Sequence, residues 1–181
     1  AKVTIEEVLA SRVVCEPLHL WMLCSPNEGG AALVVESERR RHGDVEVAAV
    51  ELRSHRAGNV LGEDSPLAGI DHIGIVPPTT AAAQAAFEAA GVGPEDIDVV
   101  ECQDTDAGRE LLAWVELGLC AAGEQADVLA DGRFAPGGRV AVNPSGGLLS
   151  KGEPLGASAV GQVVELVRQL RGAAGARQVP G

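Results

Sequence analysis

The sequence has few aromatic and few basic residues. Its aromatics are Trp21, Trp114, Phe87 and Phe134, with no tyrosine, which is too few to build stacking platforms for bases. Lys and Arg number 14 against 26 Asp and Glu, giving a net charge of −12. Binding to a phosphate backbone therefore lacks its electrostatic driving force. These two shortages exclude nucleic acid as an expected partner.

The sequence also lacks a long hydrophobic run. No apolar stretch approaches the ~20 residues that cross a bilayer. The first ten residues carry Glu6 and Glu7, where a secretory signal would need an apolar stretch. We therefore expect a cytoplasmic protein with no membrane span.

The cysteines show no paired spacing. Cys15, Cys24, Cys102 and Cys120 are widely separated, without a Cys-x-x-Cys motif, and a domain of this size needs no disulfide. His19 lies between the first two of them, but zinc sites need four ligands and no second pair follows. The sequence therefore predicts free thiols and no metal site.

The residues that are present predict a globular α/β domain. With 181 residues, of which 46% are hydrophobic, the chain can bury a sizeable core. Apolar runs predict buried or half-buried strands, and helical spacing between them predicts helices. The strands are predicted at 31–36, 45–52, 97–101 and 140–142. The helices are predicted at 79–90, 105–118 and 160–170. A capping box is predicted at Thr4 and Glu7, and a helical turn at 37–42. Alternating strands and helices predict a largely buried sheet flanked by helices.

The most specific part of the sequence is the Gly- and Pro-rich segment 143–158, between the last predicted strand and helix. A phosphate loop is not supported there, because neither Gly-Lys-Ser/Thr nor Gly-x-Gly-x-x-Gly occurs in it. The segment does resemble the thiolase superfamily, whose pattern is Asn, two residues, Gly-Gly, then Gly-His-Pro-x-Gly-Ala-Ser/Thr. The matching residues are Asn143, Gly146, Gly147, Gly152, Pro154, Gly156, Ala157 and Ser158.

Two further segments resemble the same superfamily in the same order. Residues 91–101 are similar to the helix end and strand that lead to the family's Asn-Glu-Ala-Phe loop. That loop reads Gln103, Asp104, Thr105, Asp106 in this sequence. Residues 28–35, which follow Cys24-Ser-Pro, resemble the Asp-Gly-Ala-Ala strand that closes the first thiolase half. The pattern is closest to the sterol-carrier-protein-x type thiolases.

The resemblance implies a particular architecture. It is the thiolase-like layered fold, a mixed five-stranded sheet flanked by helices, present here as the C-terminal half only. Residues 1–42 would end the first thiolase half, and residues 43–181 would form the C-terminal domain without its last strands. The family's nucleophilic cysteine and its Cys-x-Gly motif have no match, so we expect a fragment or one half of a split enzyme. The implied partners are the missing first half, a second copy in a homodimer and an OB-fold protein.

The resemblance also implies the chemistry. The substrate would be a coenzyme A thioester, with no covalently bound cofactor. The family's Gly-His-Pro histidine is replaced by Glu153, and its loop asparagine by Gln103. An ionised carboxylate accepts hydrogen bonds but donates none, so Glu153 would act as a base rather than as an oxyanion donor. The predicted catalytic residues are Gln103, Asp104 and Glu153, and the predicted substrate-binding residues are Asn143, Gly146, Gly147, Pro154, Gly156 and Ser158.

Two functions remain open at this point. One is a thiolase-like acyltransferase or carbon–carbon lyase acting on acyl-CoA of lipid or steroid side chains, with retro-aldol cleavage as one such reaction. The other is a non-catalytic subunit that binds acyl-CoA or serves as a scaffold. Asp106 could join the carboxylates of the site or simply cap the helix at 105–118, and capping is favoured. The four histidines, His19, His42, His55 and His72, match no catalytic position of the family.

Overall fold

The computed structural model describes residues 3–37, 44–54 and 76–180. The helices are α1 (Ile5–Ala10), α2 (Pro78–Ala90), α3 (Ala107–Glu116), α4 (Gln125–Asp131), α5 (Gly147–Lys151) and α6 (Ala157–Leu170). The strands are β1 (Val13–Cys15), β2 (Leu18–His19), β3 (Val99–Val100) and β4 (Ala141–Val142), and single 3-10 turns occur at Leu20–Met22, Pro94–Asp96 and Gly175–Arg177.

The N-terminal part is a capped helix followed by a small hairpin. The predicted capping box is confirmed: the Thr4 hydroxyl accepts a hydrogen bond from Glu7 N, and Thr4 N donates to the Glu7 carboxylate at 2.8 Å. β1 then pairs antiparallel with β2, with His19 opposite Val13. The His19 ring lies 2.9 Å from the Ser11 carbonyl oxygen, a contact that holds the hairpin against the end of α1.

The parallel pair β3–β4 is the centre of the C-terminal part. Val99 is in register with Ala141 and Val100 with Val142, as expected for strands separated by helical segments. The predicted helices that flank this pair are confirmed as α2, α3 and α6. α2 ends at Gly91, whose left-handed backbone (φ 70°) closes the helix.

The hydrophobic core is built from residues between 102 and 142. Trp114 of α3 meets Phe134 edge to face, with ring centroids 5.1 Å apart. Around this pair pack Cys102, Ala113, Leu119, Val128, Val140 and Val142, all of them buried. The core therefore lies directly beneath the loops that leave the ends of β3 and β4.

The sheet is smaller than predicted. Within the described ranges there are two two-stranded sheets rather than one of five strands. The buried strand predicted at 31–36 is wrong, because these residues are exposed and form no ladder. The strand predicted at 45–52 is also absent. An apolar run forms a buried strand only beside a partner strand, and none of the described residues supplies one here.

The helix α6 differs from the expectation in its burial. Its apolar residues leave few polar positions for a solvent face and predict a buried helix. In the structure, Val163 is exposed and the buried residues are Glu165 and Gln169. The segment after the helix explains this. Arg177 bonds the Glu165 carboxylate at 3.0 Å, and Gln169 donates to the Arg177 carbonyl at 2.8 Å. Glu165 and Gln169 are thus buried beneath the chain that follows α6.

Three sequence-based expectations concern residues outside the described ranges. They are most of the helical turn at 37–42, most of the long loop that the sequence also predicts after Asn59, through Pro66 and up to Pro77-Pro78, and the positions of His42, His55 and His72.

Candidate active site

Two loops on the same side of the β3–β4 pair carry the predicted catalytic residues. Gln103 lies in the loop between β3 and α3, and Glu153 lies in the loop between α5 and α6. The structure brings them together: Gln103 Nε2 donates to Glu153 Oε1 at 2.6 Å. Residues 50 positions apart in the chain therefore meet beyond the strand ends, where open α/β sheets commonly bind ligands.

Asp104 is turned into the protein beside Gln103. Its side chain is 1% exposed, and its carboxylate accepts hydrogen bonds from Leu148 N (2.7 Å) and Leu149 N (3.4 Å) of α5. Burial raises the pKa of Asp104, and the two main-chain donors oppose this. The carboxylate thus ties the first loop to the helix that precedes the second loop, and its predicted catalytic role stays a prediction.

Asp106 caps α3. Its carboxylate accepts a hydrogen bond from Arg109 N at 2.8 Å, the usual arrangement for an aspartate at a helix N-terminus. Of the two interpretations open at the sequence level, helix capping is confirmed. The loop after β3 therefore ends in a fixed helix start, and this limits how far Gln103 can move.

Asn143 supports the base of the same loop from β4. It is buried with φ 48°, and its side-chain oxygen accepts from Cys102 N at 2.9 Å. Its amide nitrogen lies 3.4 Å from Glu110 Oε1. Burial raises the pKa of Glu110, and it raises the pKa of Cys102 to about 12. These contacts place the side chain of Asn143 inside the protein, and its predicted contact with substrate stays a prediction.

The predicted substrate-binding glycines make a close backbone approach possible. Gly147 has φ 61°, and a Cβ atom there would overlap the Asp104 carboxylate. Gly146 (φ 93°) and Gly156 (φ 79°) also adopt backbone conformations that favour glycine. Pro154 accepts from Ser158 N at 3.0 Å, so these two residues start α6. Of these glycines, Gly147 allows the two loops to pack closely, and the predicted contact of the segment with substrate stays a prediction.

A third segment, residues 23–27, joins the two loops. Cys24 N donates to the Thr105 carbonyl at 2.8 Å, and Glu153 N donates to the Ser25 carbonyl at 2.9 Å. Asn27 Nδ2 donates to the Lys151 carbonyl at 2.6 Å. We name residues 23–27 the bridging segment. Sequence reasoning missed it, and the one available signal was the position of Cys24-Ser-Pro just before the run 28–35 that resembles thiolases.

The bridging segment adds a third side chain to the site. Cys24 Sγ lies 3.6 Å from Glu153 Oε2. Both carboxylate oxygens of Glu153 therefore have a donor, Gln103 on one and Cys24 on the other. Burial, and next the charge of Glu153, raise the pKa of Cys24. Cys24 is thus a protonated thiol near neutral pH and donates to Glu153.

An apolar cavity of about 400 Å³ lies next to Gln103. It follows the edge of β3 that has no neighbouring strand within the described ranges, and α2, α3 and α6 form its other walls. Phe87, Ile97, Leu117, Leu119 and Leu166 supply apolar lining. Gln103 belongs to this lining and Glu153 does not, so the two residues do not share this cavity.

Two other kinds of site are absent from the part of the chain that the structure describes. No group of three His, Cys, Asp or Glu side chains is arranged to hold a metal ion in residues 3–37, 44–54 and 76–180. No helix in those same ranges is long and apolar enough to cross a membrane.

Comparison with known proteins identifies the family. Sterol carrier protein 2 of Rattus norvegicus is 38% identical over 98% of this chain and 33% of its own length. The acetyl-CoA acetyltransferase of Methanothermobacter thermautotrophicus is 39% identical over 99% of this chain and 46% of its own length. The benzoylsuccinyl-CoA thiolase subunit BbsB of Thauera aromatica is 37% identical over 94% of this chain and 43% of its own length. The chain thus spans between a third and just under half of the length of these relatives.

A solved structure and a family model complete the comparison. The Ltp2-ChsH2(DUF35) aldolase superposes with a TM-score of 0.67 over 99% of this chain and 46% of that one, at 24% identity, which shows a shared fold. The family model described as "Thiolase C-terminal domain-like" matches residues 70–181. The fold class and the resemblance inferred from sequence are confirmed. The chain belongs to the thiolase C-terminal domain-like family.

Proposed function

We propose that the full-length protein acts on acyl-CoA thioesters, as a thiolase-like acyltransferase or carbon–carbon lyase, with Glu153 as its general base. The names of two relatives, an acetyl-CoA acetyltransferase and a benzoylsuccinyl-CoA thiolase subunit, support a coenzyme A thioester as substrate. The solved aldolase structure supports only the fold at its level of identity, so the reaction is argued from the side chains of the site.

The observation that carries the proposal is the position of the Glu153 carboxylate. It meets Gln103 at 2.6 Å, at the junction of the two loops that the family resemblance marks as catalytic. A carboxylate that accepts hydrogen bonds on both oxygens can take up a proton but cannot donate one to a developing oxyanion. Placed near an enolate, it would repel the charge rather than stabilise it. Glu153 therefore fits proton abstraction and does not replace a donor histidine.

Of the two reactions, carbon–carbon cleavage requires fewer functional groups from the described residues. In a retro-aldol step, Glu153 takes the proton of a β-hydroxyl group. The new C=O bond forms as the Cα–Cβ bond breaks, and the electron pair leaves as the enolate of a shorter acyl-CoA. Return of the proton to that α-carbon completes the step without a co-reactant. Acyl transfer would need a thiolate nucleophile, and the raised pKa values of Cys24 and Cys102 disfavour one at either position, so that nucleophile would have to come from the first thiolase half.

Replacement of the carboxylate tests the proposal. In the full-length protein, Glu153→Gln keeps the size and one acceptor oxygen but removes the base. We expect turnover of an acyl-CoA substrate to fall by roughly 10²–10⁴-fold, with CoA-ester binding nearly unchanged. Glu153→His should also fail to restore turnover, because the carboxylate base would be absent. Glu28→Gln, an exposed acid beyond the bridging segment, is the matched control and should behave as wild type.

The second candidate is a non-catalytic subunit that binds acyl-CoA or serves as a scaffold. It is favoured by the internal hydrogen bonds of Asp104 and Asn143, which turn two of the polar side chains of the site into the protein. Under this function, both Glu153→Gln and Glu153→His would leave the behaviour of the protein unchanged. The partners implied by the resemblance, a first thiolase half, a second copy and an OB-fold protein, are likewise proposals.

A further inference from the structure

We propose that Cys24 is a positioning residue of the active site, and that its neutral thiol holds the Glu153 carboxylate in place from the side opposite Gln103. The inference deepens the proposed function, because it concerns how the proposed base is oriented. It starts from a contact between residues 129 positions apart, Cys24 Sγ to Glu153 Oε2 at 3.6 Å.

The main chain fixes both partners of this contact. Cys24 N is bonded to the carbonyl of Thr105, which ties it to the Gln103 loop. Glu153 N is bonded to the carbonyl of Ser25, the residue next to Cys24. The main chain of Glu153 is therefore hydrogen-bonded to the residue next to Cys24, so the carboxylate and the thiol extend from neighbouring points of two joined main-chain segments. A side chain held in this way loses little additional entropy on making its contact.

The glycine between the two segments shows how closely they approach. Gly152 has φ 82°, and a Cβ atom there would lie 2.5 Å from Asn27 Nδ2 and 2.8 Å from the Ser25 carbonyl oxygen. No larger residue fits without displacing the bridging segment. On the other side of Glu153, Pro154 packs against Gly29, where an added Cβ would be 3.0 Å from the proline ring. The bridging segment thus packs against the loop on one side of Glu153, and Gly29, just after that segment, packs against it on the other side.

The chemistry of the pair assigns the roles. A thiol beside a carboxylate is disfavoured as a thiolate, so Cys24 donates and Glu153 accepts. Gln103 occupies Oε1 and Cys24 occupies Oε2, which fixes the rotation of the carboxylate about its last torsion. That terminal torsion is otherwise broad, and general-base catalysis depends on where the accepting oxygen points. Cys24 acts through Glu153 and forms no bond to the substrate in this proposal.

Thiol alkylation tests the pair without reference to any reaction of the enzyme. In the full-length protein, the rate at which iodoacetamide modifies each cysteine is measured against pH by peptide mass spectrometry. Cys15, which is exposed, is the internal reference. We expect Cys24 to react several-fold more slowly than Cys15 near neutral pH, and to gain severalfold in rate in Glu153→Gln but not in the Glu28→Gln control. Equal rates at Cys24 in wild type and Glu153→Gln would overturn the pairing.

Turnover tests the positioning. We expect Cys24→Ala to lower kcat about tenfold with KM nearly unchanged, since a donor to a charged group is lost, and Cys24→Ser to recover most of kcat. A Cys24→Ala enzyme with wild-type kcat, alongside an inactive Glu153→Gln, would overturn the positioning role and leave the base intact. Full activity in Glu153→Gln would instead overturn the proposed function, while the alkylation result would still decide whether the thiol and carboxylate are paired.

Discussion

The apolar segments 33–35 and 140–142 have similar composition and opposite environments. Val140, Ala141 and Val142 are 0%, 1% and 7% exposed, whereas Val34 and Val35 are 90% and 79% exposed. Residues 140–142 lie beside β3, on a core made by α3 and the chain up to Phe134. Residues 33–35 have no strand beside them in the described ranges. An apolar run therefore identifies a segment that is suited to burial. Whether the segment is buried depends on the chain segments that pack against it.

The difference in burial between the two parts agrees with the greater length of the relatives. The chain spans 33–46% of the relatives described above, and exposed apolar residues concentrate in its N-terminal part, where Val34, Val47, Val50 and Leu52 are all exposed. Large apolar surfaces of this kind mark contacts with other chain segments. The C-terminal part, by contrast, carries a closed core and the two loops of the candidate site. The comparison predicts that substitutions in the two parts will have unequal effects.

The largest effect is expected at the closest backbone approach of the packed part. Gly147→Ala places a methyl group against the Asp104 carboxylate, at a residue with φ 61°. We expect a loss of about 2–4 kcal/mol in the free energy of unfolding, from backbone strain and from displacement of Asp104. Urea denaturation measures it. The control is Gly161→Ala within α6, where an added Cβ meets nothing within 4 Å and alanine should be neutral or stabilising. Equal effects at the two glycines would contradict the assigned geometry.

The next effect contrasts one valine from each part. Val128 is fully buried, so Val128→Ala should cost about 2 kcal/mol in the free energy of unfolding. In the 181-residue chain, Val34→Ala should change stability by less than about 0.5 kcal/mol. If the proposed first thiolase half packs on residues 33–35, Val34→Ala should cost more in the full-length protein than in the 181-residue chain. The same small effect in both chains would show that residues 33–35 are not part of an interface.

The two parts also differ in how well the sequence predicted them. Helices α2, α3 and α6, the strands β3 and β4, and the caps at Thr4 and Asp106 follow from local spacing and side-chain chemistry. α5 was missed because it begins at Gly147, directly after Gly146, and glycine has low helix propensity. It is held by Asp104, 44 residues before Leu148 in the chain. The strand at 31–36 was overpredicted because periodicity contains no information about whether a partner strand is present.

The candidate site, like the fold, was predicted from the sequence only in part. The resemblance indicated Gln103 and Glu153, and the structure joins them by a hydrogen bond. The bridging segment was not predictable, because its contacts with Glu153 and Lys151 are made between positions more than 120 residues apart. A free cysteine carries no positional signal of its own. Long-range main-chain hydrogen bonds, which depend on the whole fold, placed Cys24 there.

A third prediction concerns association of the 181-residue chain. Its exposed apolar residues and the apolar cavity along the unpaired edge of β3 should cause concentration-dependent self-association. Sedimentation velocity measures this. We expect Val35→Glu to weaken association about tenfold, or about 1.4 kcal/mol, and Glu28→Gln to leave it unchanged. A chain that sediments as a monomer at all concentrations and melts cooperatively would contradict the interpretation as part of a longer fold.

The smallest effect is a pH dependence of stability in the packed part. Burial, and next the charge of Asp104, raise the pKa of Glu110 above its ordinary value of 4.5. For an acid with a raised folded-state pKa, the associated stabilisation is present below the ordinary value and is lost as pH rises through the folded-state value. Glu110→Gln removes that loss, and its side-chain oxygen can still accept from Asn143. The stability of Glu110→Gln relative to wild type should therefore increase from about pH 4 to pH 8.

Urea unfolding midpoints across this range measure the difference. Some pH dependence should persist in Glu110→Gln, because burial also raises the pKa of Asp104 and that carboxylate is still present. Glu88→Gln, an exposed acid on α2, is the matched control and should leave the pH dependence of wild type unchanged. If Glu110→Gln instead gained stability relative to wild type as the pH was lowered, the sign of the Glu110 shift would be reversed. The Glu110 carboxylate would then be stabilised by its contact with Asn143 more than it is penalised by burial.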